Sequence, residues 1–537
     1  MNAPSDRLQT GRIGIAALIV SGGILLSRLL GVLREVIFAG MLGADAVTDQ
    51  YVAAFRIPDF ANYLLAGGFL TITFIPIFSK YLADDTEAEG WEGFSSIVRW
   101  LTIGISALIV VAWLATPLIV EALYPDFTAE QVATTVRLTR IVLPAQFAFV
   151  IGAMFAAVQF AKGVFTIPTL APIVYNLLII VGGVAYAAFT GTPDPEGFIW
   201  GALVGAFVGS FAIQWWGARR VGMRFNLRAR WSHPAVGQYI ALAIPLMLGL
   251  SIVVLDETFM SIFGEQVADG AQTNLQYARR TMLVPVGIIA QAASVAAYPF
   301  LARLFAEGNI RAMHRTVDLA MRWVLVLSIA AAGLLAALAL PVIRTLFERF
   351  AYTEADSGAA AAALFFYAFA VPVWGGLQVL TRAFYARRSM WTPVLVGTGV
   401  TLAAVPLYVV MTRSFGIEGV ALASVLVLSL YTGMLALLWY RGAAGRARLR
   451  RVLSIAGRAI PPTVLGAAAA FVVSWGVTSI LPGPATLVNL IAVVLGTAIF
   501  AGIAFSLGSL LYDLLTAAAL RRPTPDDPGT DVMEVLG

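Results

Sequence analysis

Arginines inside long apolar stretches are the residues of this sequence best suited to chemistry. The first stretch contains SRLLGVLRE (27–35), in which Arg28 and Glu35 are seven residues apart and share a helix face. Arg34 precedes Glu35, and Gly31 lies between the two arginines, where it could let a helix bend. Guanidinium groups bind phosphate through paired hydrogen bonds, and charges within a membrane usually face a cavity. We therefore expect Arg28 and Arg34 to bind a phosphorylated anion.

Other ionisable residues stand in later apolar stretches. Arg280 in the eighth stretch is expected to join the two arginines, whereas Asp318 and Arg322, spaced i,i+4 in the ninth, are expected to form a structural pair. Arginines nearer the ends of their stretches are expected to extend their side chains to the membrane interface: Arg56, Arg137 and Arg140. The acids expected to neutralise or gate the cavity are Glu35, Asp49, Asp256 and Glu257. Possible hinges are Gly31, Gly67, Gly68 and Pro285.

The composition fixes the class of protein that must position these residues. Of 537 residues, 60% are hydrophobic and 12% are charged, with a mean hydropathy of +0.86. Soluble domains are about 45–50% apolar and about 25% charged, so a soluble or disordered protein is excluded. Cysteine is absent and only two histidines occur, so we expect no metal site. No Walker A motif occurs, which excludes direct use of ATP, and no cofactor is expected.

Hydropathy predicts an all-α polytopic membrane protein with about fourteen spans, since about 20 apolar residues cross a bilayer. Basic loops alternate with loops that lack Lys and Arg, such as LGADAVTD (42–49) and GEQVADGAQ (264–272), which predicts that both termini are cytoplasmic. The predicted regions are an N-terminus (1–12), an N-lobe of six spans (13–221), a basic linker (222–235), a C-lobe of six spans (236–440), two further spans (441–513) and a disordered tail (514–537).

The two predicted lobes repeat one pattern. AKGVFTIP (161–168) and GFIWGALVGAFVG (197–209) correspond to ARRSMWTP (386–393) and GIEGVALASVLVL (416–428). An even number of spans per repeat makes the halves parallel, an arrangement typical of transporters that rock one half against the other. Channels and membrane enzymes also contain duplications, so the repeat favours transport without proving it.

Seven motifs in order resemble one family. The motifs are SRLLGVLRE (27–35), GADAVTDQYVAAFRIPD (43–59), RLTRIVLPAQ (137–146), TLAPIVYNLLIIVGG (169–183), QYARRTMLVPVGI (276–288), LFERFAYT (346–353) and AFYARRSMWTP (383–393). They look like the MurJ (MviN) lipid II flippases of the multidrug/oligosaccharidyl-lipid/polysaccharide exporter superfamily. The resemblance implies a two-lobed, MATE-like fold with a central cavity, and two C-terminal helices that form a groove for the undecaprenyl tail.

The resemblance also implies roles for single residues. The arginines that line the cavity in the family correspond to Arg28 and Arg34, and its acidic position corresponds to Glu35. The aspartate of the T-D pair corresponds to Asp49, and the arginine of Y-A-D-R corresponds to Arg280.

Three departures from the family pattern stand out. Asn62 and Tyr63 replace two arginines that are frequent in the second span, and Arg279 replaces the aspartate of Y-A-D-R. Arg279 thereby returns positive charge to the cavity. The eleventh span (391–413) lacks the Asn and Asp proposed to bind sodium in some members, so sodium binding is not expected.

The expected function is therefore transport of lipid II, an undecaprenyl-diphosphate-linked peptidoglycan precursor, across the bacterial cytoplasmic (inner) membrane by alternating access. Lipid II, membrane lipids and the cell-wall or division machinery are the expected partners, and nucleic acid is not. The sequence distinguishes lipid II transport only weakly from the transport of another polyprenyl-linked glycan, such as an O-antigen or exopolysaccharide unit. A multidrug exporter should have an acidic cavity, and an enzyme of polyprenyl phosphates should have a D-D-x-x-D cluster, which is absent. A scaffold would leave the deep arginines unexplained.

Overall fold

The computed structural model describes residues 4–65, 69–226, 228–248 and 251–507, and these residues contain helices and no strand. They form two compact units, Met1–Thr273 with Arg349–Thr353, and Asn274–Glu348 with Glu354–Gly537. We refer to them as unit 1 and unit 2. The lobe boundaries expected from the sequence stay predictions.

Unit 1 contains twelve α-helices in its described residues, together with the start of the thirteenth. They are α1 Pro4–Leu42, α2 Ala46–Ala54, α3 Arg56–Leu65, α4 Phe69–Ala83, α5 Glu87–Leu123, α6 Ala129–Val142, α7 Ala145–Ala161, α8 Thr166–Thr190, α9 Pro195–Gly205, α10 Ile213–Arg220, α11 Pro234–Leu248, α12 Ser251–Glu265 and α13 Ala271–Val286. A π-helical segment, Ala206–Ala212, joins α9 to α10.

The described residues of unit 2 continue α13 and add ten further α-helices. These are α14 Ala292–Ala306, α15 Ile310–Ala337, α16 Ala339–Phe347, α17 Glu354–Ala368, α18 Ala370–Ala386, α19 Trp391–Ala403, α20 Val405–Trp439, α21 Gly442–Arg458, α22 Ile460–Ile480 and α23 Ala485–Ser506. A second π-helical segment, Gly287–Gln291, follows Pro285. Proline removes one backbone donor and clashes with the preceding turn, which accounts for the wider turn there.

Eight helices among the described residues are long and apolar enough to cross a membrane, or nine when the bent pair α17 and α18 counts as one span. The chain is thus an all-α, multi-pass membrane protein. The count of fourteen stays a prediction. Several predicted spans fall on two or more shorter helices each, for example 50–82 (α2, α3, α4), 236–263 (α11, α12) and 272–304 (α13, α14).

Glycines let α8 and α9 approach closely in unit 1. A Cβ on Gly182 would lie 2.6 Å from the carbonyl oxygen of Gly197 and from Cα of Gly201. A Cβ on Gly201 would in turn lie 2.5 Å from the carbonyl oxygen of Leu178. Membrane helices usually pack through small residues. The surrounding lipid is as apolar as the side chains, so no hydrophobic effect drives the helices together, and close van der Waals contact is needed instead. This contact fixes α8, which carries a residue of the candidate site.

The expected pair between Asp318 and Arg322 is wrong. Asp318 of α15 instead accepts hydrogen bonds from the Tyr440 hydroxyl (2.9 Å) and from Arg448 Nη1 (3.4 Å). Both partners follow α20 in the chain, so Asp318 joins α15 to α21 rather than stabilising its own helix. A buried carboxylate gains more from two donors of neighbouring segments than from a single i,i+4 partner on its own helix.

Candidate functional site

The site of unit 1 begins with Arg34, which three hydrogen bonds hold in place. Its Nε and Nη2 donate to Glu35 Oε1 at 3.1 and 2.5 Å, and its Nη1 donates to Asn176 Oδ1 at 3.0 Å. The side chains of Arg34 and Glu35 are 19% and 12% exposed, so this ion pair is only partly buried. A guanidinium has five N–H donors. Within the described residues, two of them remain available to a ligand.

Asn176 is the residue that places Arg34. It lies in α8, and its Nδ2 donates to the carbonyl oxygens of Pro172 (2.9 Å) and Ser27 (3.5 Å). Its amide group is thereby oriented with the oxygen toward Arg34. Gly31 faces the same amide, since a Cβ there would lie 3.9 Å from Asn176 Oδ1.

Arg28 lies six residues before Arg34 on α1 and is exposed. Its helix is continuous through Gly31, from Pro4 to Leu42. Residues six apart on a helix point about 120° apart, so Arg28 and Arg34 leave α1 in different directions. Glu35 neutralises the charge of Arg34. Whether Gly31 bends during function stays a prediction.

Unit 2 carries the arginines of α13. Arg279 is buried, and its guanidinium lies over the ring of Trp374, 5.4 Å from the centroid. Arg280 is half-buried. Neighbouring residues of a helix point about 100° apart, so the two side chains leave α13 in different directions. Their joint role in a cavity with Arg28 and Arg34 stays a prediction, as does the hinge at Pro285.

Asp49 lies in a different setting from the arginines. It is buried, and its Oδ2 accepts from the Gly270 N–H at 2.7 Å. Its Oδ1 accepts from the Thr273 N–H at 2.8 Å and from the Thr273 hydroxyl at 2.6 Å, while its carbonyl oxygen accepts from Gln272 Nε2 at 3.0 Å. Neutral donors from one distant segment thus satisfy both carboxylate oxygens.

Two glycines make this close approach possible. Gly270 has φ +79°, and a Cβ there would lie 2.3 Å from the carbonyl oxygen of Ala44. Gly43 has φ +76° and faces Ala351, whose segment donates a backbone hydrogen bond to Gly40 at 3.0 Å. We call residues 40–49, 270–273 and 349–353 the Asp49 junction. Two of its three segments, 40–49 and 270–273, belong to loops that the charge pattern assigns to one side of the membrane.

The remaining candidate acids lie on α12. Glu257 forms an ion pair with Arg56 (3.7 Å), so that the arginine is buried rather than extended to an interface. Asp256 is buried, and Asn62 of α3 is half-buried. Tyr63 lies in α3, whereas Gly67 and Gly68 lie outside the described residues.

A family model described as lipid II flippase MurJ matches residues 38–506, which is most of the chain. The chain belongs to the MurJ family. A probable lipid II flippase MurJ of Rhizobium meliloti (strain 1021) is 27% identical over 520 residues, covering 94% of this chain and 95% of the relative. The lipid II flippase MurJ of Burkholderia cenocepacia is 26% identical over 396 residues, covering 72% and 76%.

Solved structures show the same fold. A lipid II flippase MurJ in an inward closed conformation matches with a TM-score of 0.72 at 20% identity, over 92% of this chain and all of that one. An inward-facing MATE multidrug transporter matches with a TM-score of 0.64 at 14% identity, over 82% of this chain and 98% of the transporter. The expected family and the MATE-like fold are confirmed.

Two residues that hold candidate side chains in place were not predicted from the sequence: Asn176 bonds to Arg34, and Thr273 bonds to Asp49. Asn176 lies within the motif TLAPIVYNLLIIVGG (169–183), and an amide inside an apolar span is itself a signal of a polar contact. Thr273 gives no such signal, because its partner Asp49 lies 224 residues away.

Proposed function

We propose that this chain moves lipid II from the inner to the outer leaflet of the bacterial cytoplasmic membrane. The observation that carries the proposal is the Arg34 guanidinium, fixed by Glu35 and Asn176 while two of its N–H donors remain available within the described residues. A fixed guanidinium with two unused donors suits a phosphate oxygen. Membership of the MurJ family supplies the substrate class.

Diphosphate binding is assigned first to α1, where Arg34 would donate to one phosphate and exposed Arg28 to the other. Arg280 and Arg279 are further candidates for diphosphate binding on the sequence pattern alone. Glu35 keeps the local charge low before substrate arrives, which limits the cost of placing arginines within a span. No covalent bond is made or broken, so the activity is transport rather than catalysis.

Alternating access requires one end of the substrate path to be closed while the other is open. The Asp49 junction is suited to be that closed end, because its hydrogen bonds involve loops predicted to face outside. Opening outward would break these bonds and release the headgroup. The membrane potential favours outward movement of an anion by about 2.3 kcal/mol per charge per 100 mV.

The location follows from the same proposal. We place both termini in the cytoplasm, lipid II and membrane lipids at the transport path, and the cell-wall synthesis machinery as the consumer of the product. The last two predicted spans (441–513) are assigned to the polyprenyl tail.

Complementation tests the substrate directly. The resident lipid II flippase of a bacterium is depleted, this chain is expressed, and externally added colicin M is used to cleave lipid II at the outer surface. Restored growth together with cleavage is the expected result. Membrane expression without cleavage would contradict the substrate and point to a different polyprenyl-linked glycan.

A further inference from the structure

A groove on unit 1 lies away from Arg28 and Arg34. It has a volume of about 480 Å³ and is open on one side. Three helices line it: α5 through Trp113, α6 through Arg137 and Arg140, and α9 through Trp200 and Leu203. Two arginines and two tryptophans thus line one concave surface.

Arg140 is the charged group of this groove. Its guanidinium stacks over the ring of Trp113, 4.2 Å from the centroid, and its Nε donates to the Trp113 carbonyl oxygen at 3.2 Å. Within the described part of the chain, no carboxylate lies within ion-pair distance of Arg140. Stacking on an aromatic face leaves the Nη edge of a guanidinium available to an anion.

The second arginine is already neutralised. Arg137 forms an ion pair with Glu196 Oε2 at 2.6 Å, and Glu196 Oε1 accepts from Trp200 Nε1 at 3.2 Å. This arrangement orients the Trp200 ring at the opposite side of the groove. The groove therefore carries the net charge of Arg140 alone, which matches one monoanionic group.

The surroundings of the groove are those of a membrane-facing surface. Exposed apolar side chains flank it on α5 (Val110, Leu114 and Leu118) and on α9 (Val204). The polar first part of α6 ends at Arg140, and the apolar residues 141–161 that follow are long enough to cross a bilayer, which takes about 20 residues. Arg140 thus stands at the start of this apolar stretch. Tryptophans concentrate at the ends of membrane spans, near the lipid headgroups.

We propose that this groove binds one anionic phospholipid, with its phosphate on Arg140 and its acyl chains along the apolar surface between Trp113 and Trp200. A soluble anion would not use the apolar flanks, and a zwitterionic lipid would bring an ammonium group toward Arg140. This lipid would be a bound neighbour of the transporter, separate from the transported substrate.

Native mass spectrometry of the full chain, purified and stripped of lipid in detergent, tests the proposal. Phosphatidylglycerol is titrated against phosphatidylcholine with the same acyl chains. We expect wild type to retain one phosphatidylglycerol molecule about tenfold more tightly than phosphatidylcholine, and Arg140→Gln to lose that difference, since one charge-assisted contact is removed. Arg413→Gln, which changes an exposed arginine of α20, is the matched control and should bind as wild type.

Equal affinity of wild type for the two lipids would overturn the proposal, and so would unchanged phosphatidylglycerol binding by Arg140→Gln. A photoactivatable phosphatidylglycerol on the wild-type protein provides a measurement that needs no variant. Crosslinks to α5 near Trp113 and to α6 near Arg140 are expected, and labelling confined to other helices would overturn the assignment. Complementation by the wild-type chain is a separate readout, so failure of the lipid site and failure of the flippase assignment are distinguishable.

Discussion

Arg34 and Asp49 are two charges of unit 1 with opposite kinds of surroundings. Asp49 is 2% exposed, and neutral donors of residues 270–273 satisfy both of its carboxylate oxygens. Arg34 is partly exposed, is neutralised by its neighbour Glu35, and retains donors that no described residue uses. Both carboxylate oxygens of Asp49 have hydrogen-bond donors without a ligand, whereas Arg34 is held in place with part of its hydrogen-bonding capacity unused.

The same fold thus contains one charged group that stabilises the structure and another that is available to bind a ligand. A fully bonded buried group is costly to disturb, because the loss of one partner leaves the others desolvated. A half-bonded group at a partly exposed position can exchange water for a substrate phosphate at small cost. We therefore expect substitutions at Asp49 to act first on stability and substitutions at Arg34 to act on transport.

The largest effect is expected from Arg28→Ala combined with Arg34→Ala. Loss of two charge-assisted contacts to the diphosphate should lower transport by about 100-fold or more. The measurement is complementation of a flippase-depleted cell with colicin M cleavage as readout. Arg413→Ala serves as the control for removal of an exposed arginine. If the double variant reached normal abundance in the membrane and still complemented the cell, Arg28 and Arg34 would not be required for transport.

Asp49→Ala should have the largest effect on stability. It removes the acceptor of the Gly270 N–H, the Thr273 N–H and the Thr273 hydroxyl, which should cost about 3 kcal/mol in total. Thermal unfolding in detergent, followed by tryptophan fluorescence, measures the change. Asp269→Asn alters an exposed carboxylate beside Gly270 and should leave the midpoint unchanged. Equal midpoints for Asp49→Ala and wild type would show that the Asp49 junction does not stabilise unit 1.

Asn176→Leu tests whether the orientation of Arg34 matters for the proposed transport. It removes the oxygen that positions Arg34, so we expect transport to fall about tenfold, less than on loss of the arginines, since one neutral-to-charged hydrogen bond is lost. Asn176→Asp keeps an acceptor for Arg34 and should retain more activity than the leucine variant. A leucine variant as active as wild type would mean that Glu35 alone positions Arg34.

The sequence drew attention to Arg28 and Arg34 but not to the residues that hold them, such as Asn176. Arg28 and Arg34 are conspicuous because charges are rare in apolar spans, and family motifs supply their role. Asp49 was equally visible as an acid, but its partners Gly270 and Thr273 depend on contacts between segments that spacing along the chain does not reveal. The Asp318 pairing failed for the same reason, because Tyr440 and Arg448 are distant in sequence.

The fold class was predictable for a different reason. Long Ala-, Leu- and Val-rich stretches allow only helices in a membrane, since a lipid-exposed backbone must satisfy its own hydrogen bonds. Breaks inside spans are harder to foresee. Hydropathy averages over the π-helical segment after Pro285 and over the boundary between α2 and α3, because an interrupted span is as apolar as a continuous one.

The smallest effect is expected at His233, a buried group that accepts a hydrogen bond from a backbone N–H, as Asp49 does. Its Nδ1 accepts from the Ala235 N–H at 3.2 Å at the start of α11, and burial lowers the pKa of His233. The folded state therefore takes up a proton less readily than the unfolded chain, so stability is complete above about pH 6.5 and declines as the pH falls below it. Loss of this one acceptor should lower the unfolding midpoint by about 2 °C at pH 5. His233→Asn keeps an acceptor that does not titrate, and its midpoint should fall less between pH 7 and pH 5 than that of wild type. The same decline in both proteins would assign the pH dependence to other groups, and Asp49 would then remain the better example of a bonded, buried charge.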